Sequence, residues 1–310
     1  MPCSIRVHLI FFASLLTVAV ACTPSSVAPS SPGISSAQKL RVVATTTQVT
    51  ALVQVVGGDK IALVGIVKAN VDPHEYEVTP DDLRAFANAQ VIFKNGVGLE
   101  RSLEKVIVNS GTKAPLVDTS KGVTIRKGDE QEPDGDPHIW HSVPNALIML
   151  HNIRDGLVQA DPANADAYTA NAAAYEQKLN MLDRYISDQI ATVPASSRKL
   201  VTNHDALGYY VERYGLTFVG SIIPSMDSSF QPSAKELVDL VTNIKAQNVK
   251  AIFTESSVNP ALAQQIAREA GVKVVDGALY GDSLGLPGSG ADTLDGMLKS
   301  NTDLIVSNLK

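Results

Sequence analysis

Cysteine is almost absent from this chain. Its two residues of that type, Cys3 and Cys22, both lie in the first stretch of sequence, so the body of the protein has no pair to bridge and must rest on core burial. Any metal chemistry then falls to histidine and carboxylate. Aromatic residues are also scarce, at 5% with one Trp, which argues against a wide, ring-lined cleft for an organic solute or a metal chelate. No Lys/Arg-rich block stands out in a chain of net charge −6. Without a row of cations to neutralise phosphates, nucleic acid is not an expected partner.

What the sequence does have begins at the N-terminus. After Met1 and Arg6, the run from Val7 to Ala21 is apolar apart from His8, Ser14 and Thr17. At about 15 residues it is too short to cross ~30 Å of hydrocarbon as a helix, but it suits the h-region of a secretory signal. Two readings of its end compete: Ala19-Val20-Ala21 is a small-x-small cleavage site, and Cys22 sits where a bacterial lipoprotein carries its lipid. The Ser/Pro-rich stretch from Thr23 to Ser36 favours the lipoprotein, because it cannot bury enough apolar surface to fold and reads as a flexible tether. The expected layout is a signal peptide at 1–21, lipidated Cys22 and tether at 22–38, an N-terminal α/β lobe at 39–160, a linking helix at 161–194 and a C-terminal α/β lobe at 195–310. Such a chain would be exported and held at the outer face of the cytoplasmic membrane or in the periplasm.

From Lys39 onward short β-branched runs alternate with longer amphipathic stretches. The runs are Leu40 to Ala44, Ile61 to Val67 and Val91-Ile92-Phe93, and after Arg198 the plan repeats with Leu200-Val201, Phe218 to Ile223, Ala251 to Thr254 and Val272 to Val275. This alternation marks α/β units with mainly parallel sheets. A chain of 310 residues, 45% hydrophobic and 19% charged, is long enough for two cores, so two similar lobes are expected. One long helix is predicted between them. Asp161-Pro162 opens it, Pro194 ends it, and Tyr168, Ala172, Tyr175, Leu179, Leu182, Ile186, Ile190 and Val193 recur at helical spacing. A single stiff helix restrains hinge closure and predicts a site worked by small motions.

The positions of histidine and aspartate relative to these strands carry the functional reading. His74 lies in the loop Asn70-Val71-Asp72-Pro73-His74 before a helix capped at Thr79-Pro80, and His204 directly follows the strand at Leu200-Val201. Asp282 ends the Gly-punctuated loop from Gly277, and His138 ends the acidic loop Asp134-Gly135-Asp136-Pro137-His138 before a helix starting near Ser142. Open α/β sheets bind ligands in the crevice beyond the carboxyl ends of their strands. If the lobes face one another, His74 and His138 from one and His204 and Asp282 from the other give three imidazoles and a carboxylate, enough to hold a divalent transition metal. A lone loop His is more often a surface or hydrogen-bonding residue, and His141 and His151 are read that way. An early helix start would instead put His141 on the face of His138. The acidic run Asp129, Glu130, Glu132, Asp134 and Asp136 either concentrates cations near the cleft or is a solvated loop.

At these residues the chain resembles the zinc and manganese solute-binding proteins of bacterial ABC importers, a family that includes surface lipoproteins. The resemblance runs from Lys39 to the C-terminus. It rests on Asp72-Pro73-His74-Glu75-Tyr76-Glu77, Lys94-Asn95-Gly96-Val97-Gly98-Leu99-Glu100, Asp136-Pro137-His138-Ile139-Trp140 and the segment Asn203 to Tyr210, followed by Pro232 to Leu237 and Leu279 to Gly285. It implies two α/β lobes bridged by a rigid helix, a metal buried between them, His74, His138, His204 and Asp282 as its ligands, and a transmembrane permease as partner. Action as a monomer is expected. Three departures are visible: Gln231 stands where the family usually has Glu, His141 replaces a common apolar residue, and Lys127 to Asp136 is short and acidic where zinc members often carry a His-rich loop.

His204 bears on the choice of metal, because manganese-type members commonly place a carboxylate there. Three imidazoles make zinc the first expectation, with manganese or iron as the alternative if Asp282 binds through both oxygens. A zinc hydrolase is the rival from another class. It would need an open position for water and a base, for which Glu255 at the end of a strand is the sequence's candidate. Four protein ligands should close the site, so no enzyme is expected.

Overall fold

The computed structural model describes residues 39–310, with residues 1, 2, 4 and 8–10 ahead of them. Cys22 and the tether behind it lie outside the described residues. No described helix is long and apolar enough to cross a membrane.

In the first half, β1 (Leu40–Ala44), α1 (Thr47–Gly57), β2 (Ile61–Gly65), α2 (Pro80–Asn88), β3 (Val91–Lys94), α3 (Arg101–Asn109) and β4 (Leu116–Asp118) alternate along the chain. The strands form one parallel sheet in the order β2-β1-β3-β4. Strand side chains point alternately to the two faces. Accordingly Val42, Ala44, Val91 and Phe93 enter a central core, while Val43 and Ile92 join Ile66, Phe86, Leu103 and Ile107 in an outer one. Both faces are covered, which explains why Val42-Val43-Ala44 of β1 and Val91-Ile92-Phe93 of β3 read as continuous apolar runs. Local signals set the helix starts: Thr46 caps α1, and Thr79 with Asp82 forms a capping box ahead of Pro80 on α2.

After α4 (Val143–Ala160) and α5 (Ala165–Ala191), the second half contains β5 (Lys199–Thr202), α6 (Gly208–Tyr214), β6 (Thr217–Ser221), α7 (Ala234–Ala246), β7 (Ala251–Glu255), α8 (Ala261–Ala270), β8 (Lys273–Leu279) and α9 (Leu294–Leu309). Its strands pair in parallel as β5-β6 and β7-β8, with β5 and β7 side by side. The same alternation sends Leu200, Ala251 and Phe253 to the central core and Val201 and Ile252 to an outer one. The runs Ile61 to Val67 and Phe218 to Ile223 outlast their strands by two residues. Their N–H groups still bond across the sheet ends, Val67 N to Thr45 O at 3.0 Å and Ile223 N to Asn203 O at 2.7 Å.

The linking helix α5 buries Tyr168, Ala172, Tyr175, Leu179, Leu182, Ile186 and Ile190, the stripe expected from sequence. It spans about 40 Å at 1.5 Å per residue and packs on α1 and α4 of the first lobe and on α9 of the second. Its start differs from expectation. Pro162–Asn164 is a short 3-10 helix, because the Asp161 carboxylate accepts from Asn164 Nδ2 and Tyr168 Oη, both at 2.7 Å, instead of capping the backbone. The central core is continuous from Val42 and Phe93 through Trp140 and Leu179 to Phe253 and Met297. Wide opening would split it, at roughly 1.5–3 kcal/mol per large apolar side chain exposed. Small motions at the cleft are the economical ones.

Candidate metal centre

Two copies of the tripeptide Asp-Pro-His build the N-terminal side of the cleft. In each, the Asp carboxylate accepts the backbone N–H of the His two residues on, Asp72 Oδ1 from His74 N at 2.9 Å and Asp136 Oδ1 from His138 N at 3.0 Å. The bonds close Asx-type turns, and the proline between fixes φ. The second turn is buttressed by the Lys94 to Glu100 motif. Asn95 Nδ2 donates to Pro137 O at 2.9 Å, while the buried Glu100 carboxylate gathers Thr45 Oγ1, Asn95 N and Gly96 N.

On the C-terminal side, His204 lies just past β5 and Asp282 just past β8. Glu255, the last residue of β7, accepts both His204 N at 3.1 Å and His204 Nδ1–H at 3.0 Å through Oε1. Asp136 Oδ1 likewise takes the ring of His138, Nδ1 to oxygen 2.8 Å. With Nδ1 of both rings bonded to a carboxylate, Nε2 of each faces inward, where a cation can take the place of its proton.

The structure brings His74, His138, His204 and Asp282 together, with one donor atom from each inside a common 4.8 Å. Asp282 Oδ1 lies 3.2 Å from His138 Nε2, and Oδ2 lies 2.9 Å from His204 Nε2 and 3.7 Å from His74 Nε2. Atoms about 2.1 Å from one tetrahedral ion would be roughly 3.4 Å apart, so these spacings suit a shared cation. His138, His204 and Asp282 are buried, and the His74 side chain is 3% exposed. The Nε2 atoms of the three rings and both Asp282 oxygens have no hydrogen-bond partner among the described residues. Buried polar atoms in that condition are costly, and a bound cation would satisfy all five.

Burial opposes charge on each ring. For His138 the Asp282 and Asp136 carboxylates outweigh burial and push the pKa up to about 10. For His204, Glu255 and Asp282 likewise hold it well above its ordinary range. His74 has no carboxylate at hydrogen-bond distance, Glu132 Oε1 standing 3.6 Å from its Nδ1; there burial prevails over the pull of Asp282, and the pKa falls to about 4. Burial would raise Asp282, but His204 and His138 hold it well below the usual carboxylate range.

Sequence reasoning missed the residues behind the four. Asp136 and Glu132 belong to the acidic run whose sequence suggests a solvated or cation-concentrating loop, yet Asp136 orients His138 and Glu132 is buried between His74 and Arg101. Asp129 reaches across the cleft to accept Ser225 Oγ at 2.9 Å and Met226 N at 2.8 Å. Glu255, the candidate base of a hydrolase, is engaged with His204 instead. His141 does not join the four: its Nε2–H donates to Gly281 O at 3.1 Å. Half-buried His151 is not one of the converging group and pairs with Glu176 at 3.0 Å. A surface cavity of about 550 Å³ lined by Arg126, Lys127 and Tyr209 contains none of the four.

The profile of the family described as ZnuA, zinc-uptake complex component A, periplasmic, matches residues 42–308. The chain is similar to the manganese-binding lipoprotein MntA of Halalkalibacterium halodurans, 36% identical over 255 residues covering 82% of this chain and 83% of that one. It is also similar to the iron-binding protein YfeA of Yersinia pestis, 32% identical over 279 residues covering 89% and 86%. Among solved structures, the periplasmic zinc-binding protein TroA from Treponema pallidum matches with a TM-score of 0.82 at 29% identity, covering 87% of this chain and 99% of that one. The names of these relatives span three metals. With a profile match over nearly the whole described body and a buried centre of three imidazoles and a carboxylate, the chain belongs to this family, the metal-binding receptors of bacterial ABC importers, which are not enzymes.

Proposed function

We propose that this chain is an extracytoplasmic receptor that captures one manganese(II) ion with His74, His138, His204 and Asp282 and delivers it to the permease of an ABC importer. The observation that carries the reading is the convergence of five buried donor atoms with no other partner among the described residues. Because Asp282 Oδ1 faces His138 while Oδ2 faces His204 and His74, the carboxylate can bind through both oxygens. Five donors suit manganese or ferrous iron better than the four that zinc prefers. The manganese and iron names among the relatives support the same choice over the zinc expected from His204.

Capture and release fit the cage better than turnover. Metal displaces protons from His138 and His204, and the continuous core limits the lobes to small movements. Anchoring through a lipid on Cys22 and action as a monomer complete the proposal.

Zinc is the second reading. Three imidazoles favour it, since a nitrogen-rich site binds zinc more tightly than manganese at equilibrium. Uptake in cells lacking the gene separates the two. At trace concentration the wild-type gene should restore accumulation of radioactive manganese, and His204→Ala or Asp282→Ala should not. Restored zinc uptake with manganese unchanged would favour zinc, and restoration of neither would contradict the receptor role.

A further inference from the structure

One pair of hydrogen bonds crosses the cleft beside the centre without using any of its four proposed ligands. Trp140 and His141 are consecutive residues of the short 3-10 helix Ile139–His141. Both donate to the carbonyl oxygen of Gly281 in the other lobe, Trp140 Nε1 at 3.0 Å and His141 Nε2 at 3.1 Å. A carbonyl only accepts, so His141 carries its proton on Nε2, and the two donors engage both lone pairs of the oxygen. Both rings are 0% exposed, so water cannot replace a lost donor without entering the core.

Gly281 immediately precedes Asp282. A Cβ at this position would collide with Glu255 Oε2, so only glycine lets the backbone pass this close to the carboxylate that holds His204, and the two N–H donors hold its carbonyl. Its orientation decides how the next side chain enters the cage.

We propose that Trp140 and His141 clamp the Gly281 carbonyl, and that His141 is a positioning residue which keeps both Asp282 oxygens turned inward and thereby favours manganese over zinc. Without the second donor the peptide is free to rotate about the remaining Trp140 bond, and one Asp282 oxygen swings out. An ion that uses five donors then loses more than an ion satisfied by four. This rests on the metal-receptor reading, but it concerns the ratio of two affinities rather than which metal the cell imports.

The test uses the full-length chain as wild type, His141→Leu, which fills the space without a donor, and His141→Gln, which returns an N–H. Dissociation constants for manganese and zinc are measured by chelator competition. Loss of one buried hydrogen bond corresponds to roughly 3- to 10-fold. The Leu variant should lose manganese affinity by about 10-fold and zinc affinity by less than about 3-fold, with most of the manganese loss recovered by Gln. Amide exchange in the metal-free Leu variant should quicken at residues 280–283. Should that variant fail to fold, Trp140→Phe removes the other donor and reads the same ratio. Equal losses for both metals, no loss, or no recovery by Gln would overturn the clamp. Wild type that binds neither metal would overturn the receptor reading itself.

Discussion

Asp72-Pro73-His74 and Asp136-Pro137-His138 are the same tripeptide, and each bends its chain with the same Asp-to-N–H bond, yet they supply two different imidazoles. Asp136 is fully buried, binds the His138 ring with one oxygen and pairs Arg126 with the other. Arg126 also reaches Glu212 of the C-terminal lobe at 3.2 Å, across Gly208, where any Cβ would strike the guanidinium. Asp72 instead gives its second oxygen to Ser228 Oγ of the C-terminal lobe at 2.6 Å and leaves the His74 ring unbonded. One turn therefore orients a proposed ligand whose ring is held protonated. The other ties the lobes together and leaves its proposed ligand neutral. The local sequence is identical, and distant partners decide the role.

The largest expected effect would erase the comparison. His138→Ala and His74→Ala should each weaken manganese binding by more than the ~10–100-fold typical of losing only a ligand's supporting partner, as read by competition titration. Near-wild-type affinity in either variant would remove that residue from the centre.

The supporting carboxylates should then separate the two turns. Asp136→Asn should cost about 10–100-fold in affinity, and Asp72→Asn less than ~10-fold, because only the first orients a ring. Equal losses would mean that the turn, not the ring contact, is what matters.

Protons give a finer distinction. His138, at about 10, is charged in the metal-free protein, whereas His74, at about 4, is neutral. Metal must therefore displace a proton from His138 and none from His74, so affinity should rise with pH from about 4, above which His74 is neutral, to about 10, where His138 loses its proton unaided. Asp136→Asn removes one of the carboxylates that raise His138 and should flatten that slope. Titration in buffers of different ionisation enthalpy counts the protons, and a pH-independent affinity would contradict the assignment.

The smallest effect belongs to the tie between lobes. Ser228→Ala removes one hydrogen bond worth about 1 kcal/mol, and it should appear as somewhat faster metal release in stopped flow with Tm almost unchanged. Slower release would show that Asp72 does not hold the cleft closed.

What could be read from sequence was what local patterns encode. The α5 stripe and the strand runs follow from periodicity, and three of the four converging side chains, His74, His204 and Asp282, follow from the rule that α/β sheets gather ligands at strand ends, whereas His138 sits in a loop before a helix and no strand places it. β4 escaped because it is three residues long. The C-terminal strands form two pairs with register shifts near Leu200 and Ile252, which composition does not encode. Glu255 shows only a carboxylate at a strand end, and its partner His204 lies 51 residues away. The signal for His141 was present, as a polar residue in an apolar motif, but its acceptor is a backbone carbonyl that no sequence pattern marks.

The most direct measurement is X-ray absorption at the manganese edge of the full-length chain loaded with one equivalent. Three imidazole nitrogens and two oxygens of a single carboxylate are expected around the ion. A shell with fewer than three imidazoles, or one made mainly of water oxygens, would contradict the centre described above.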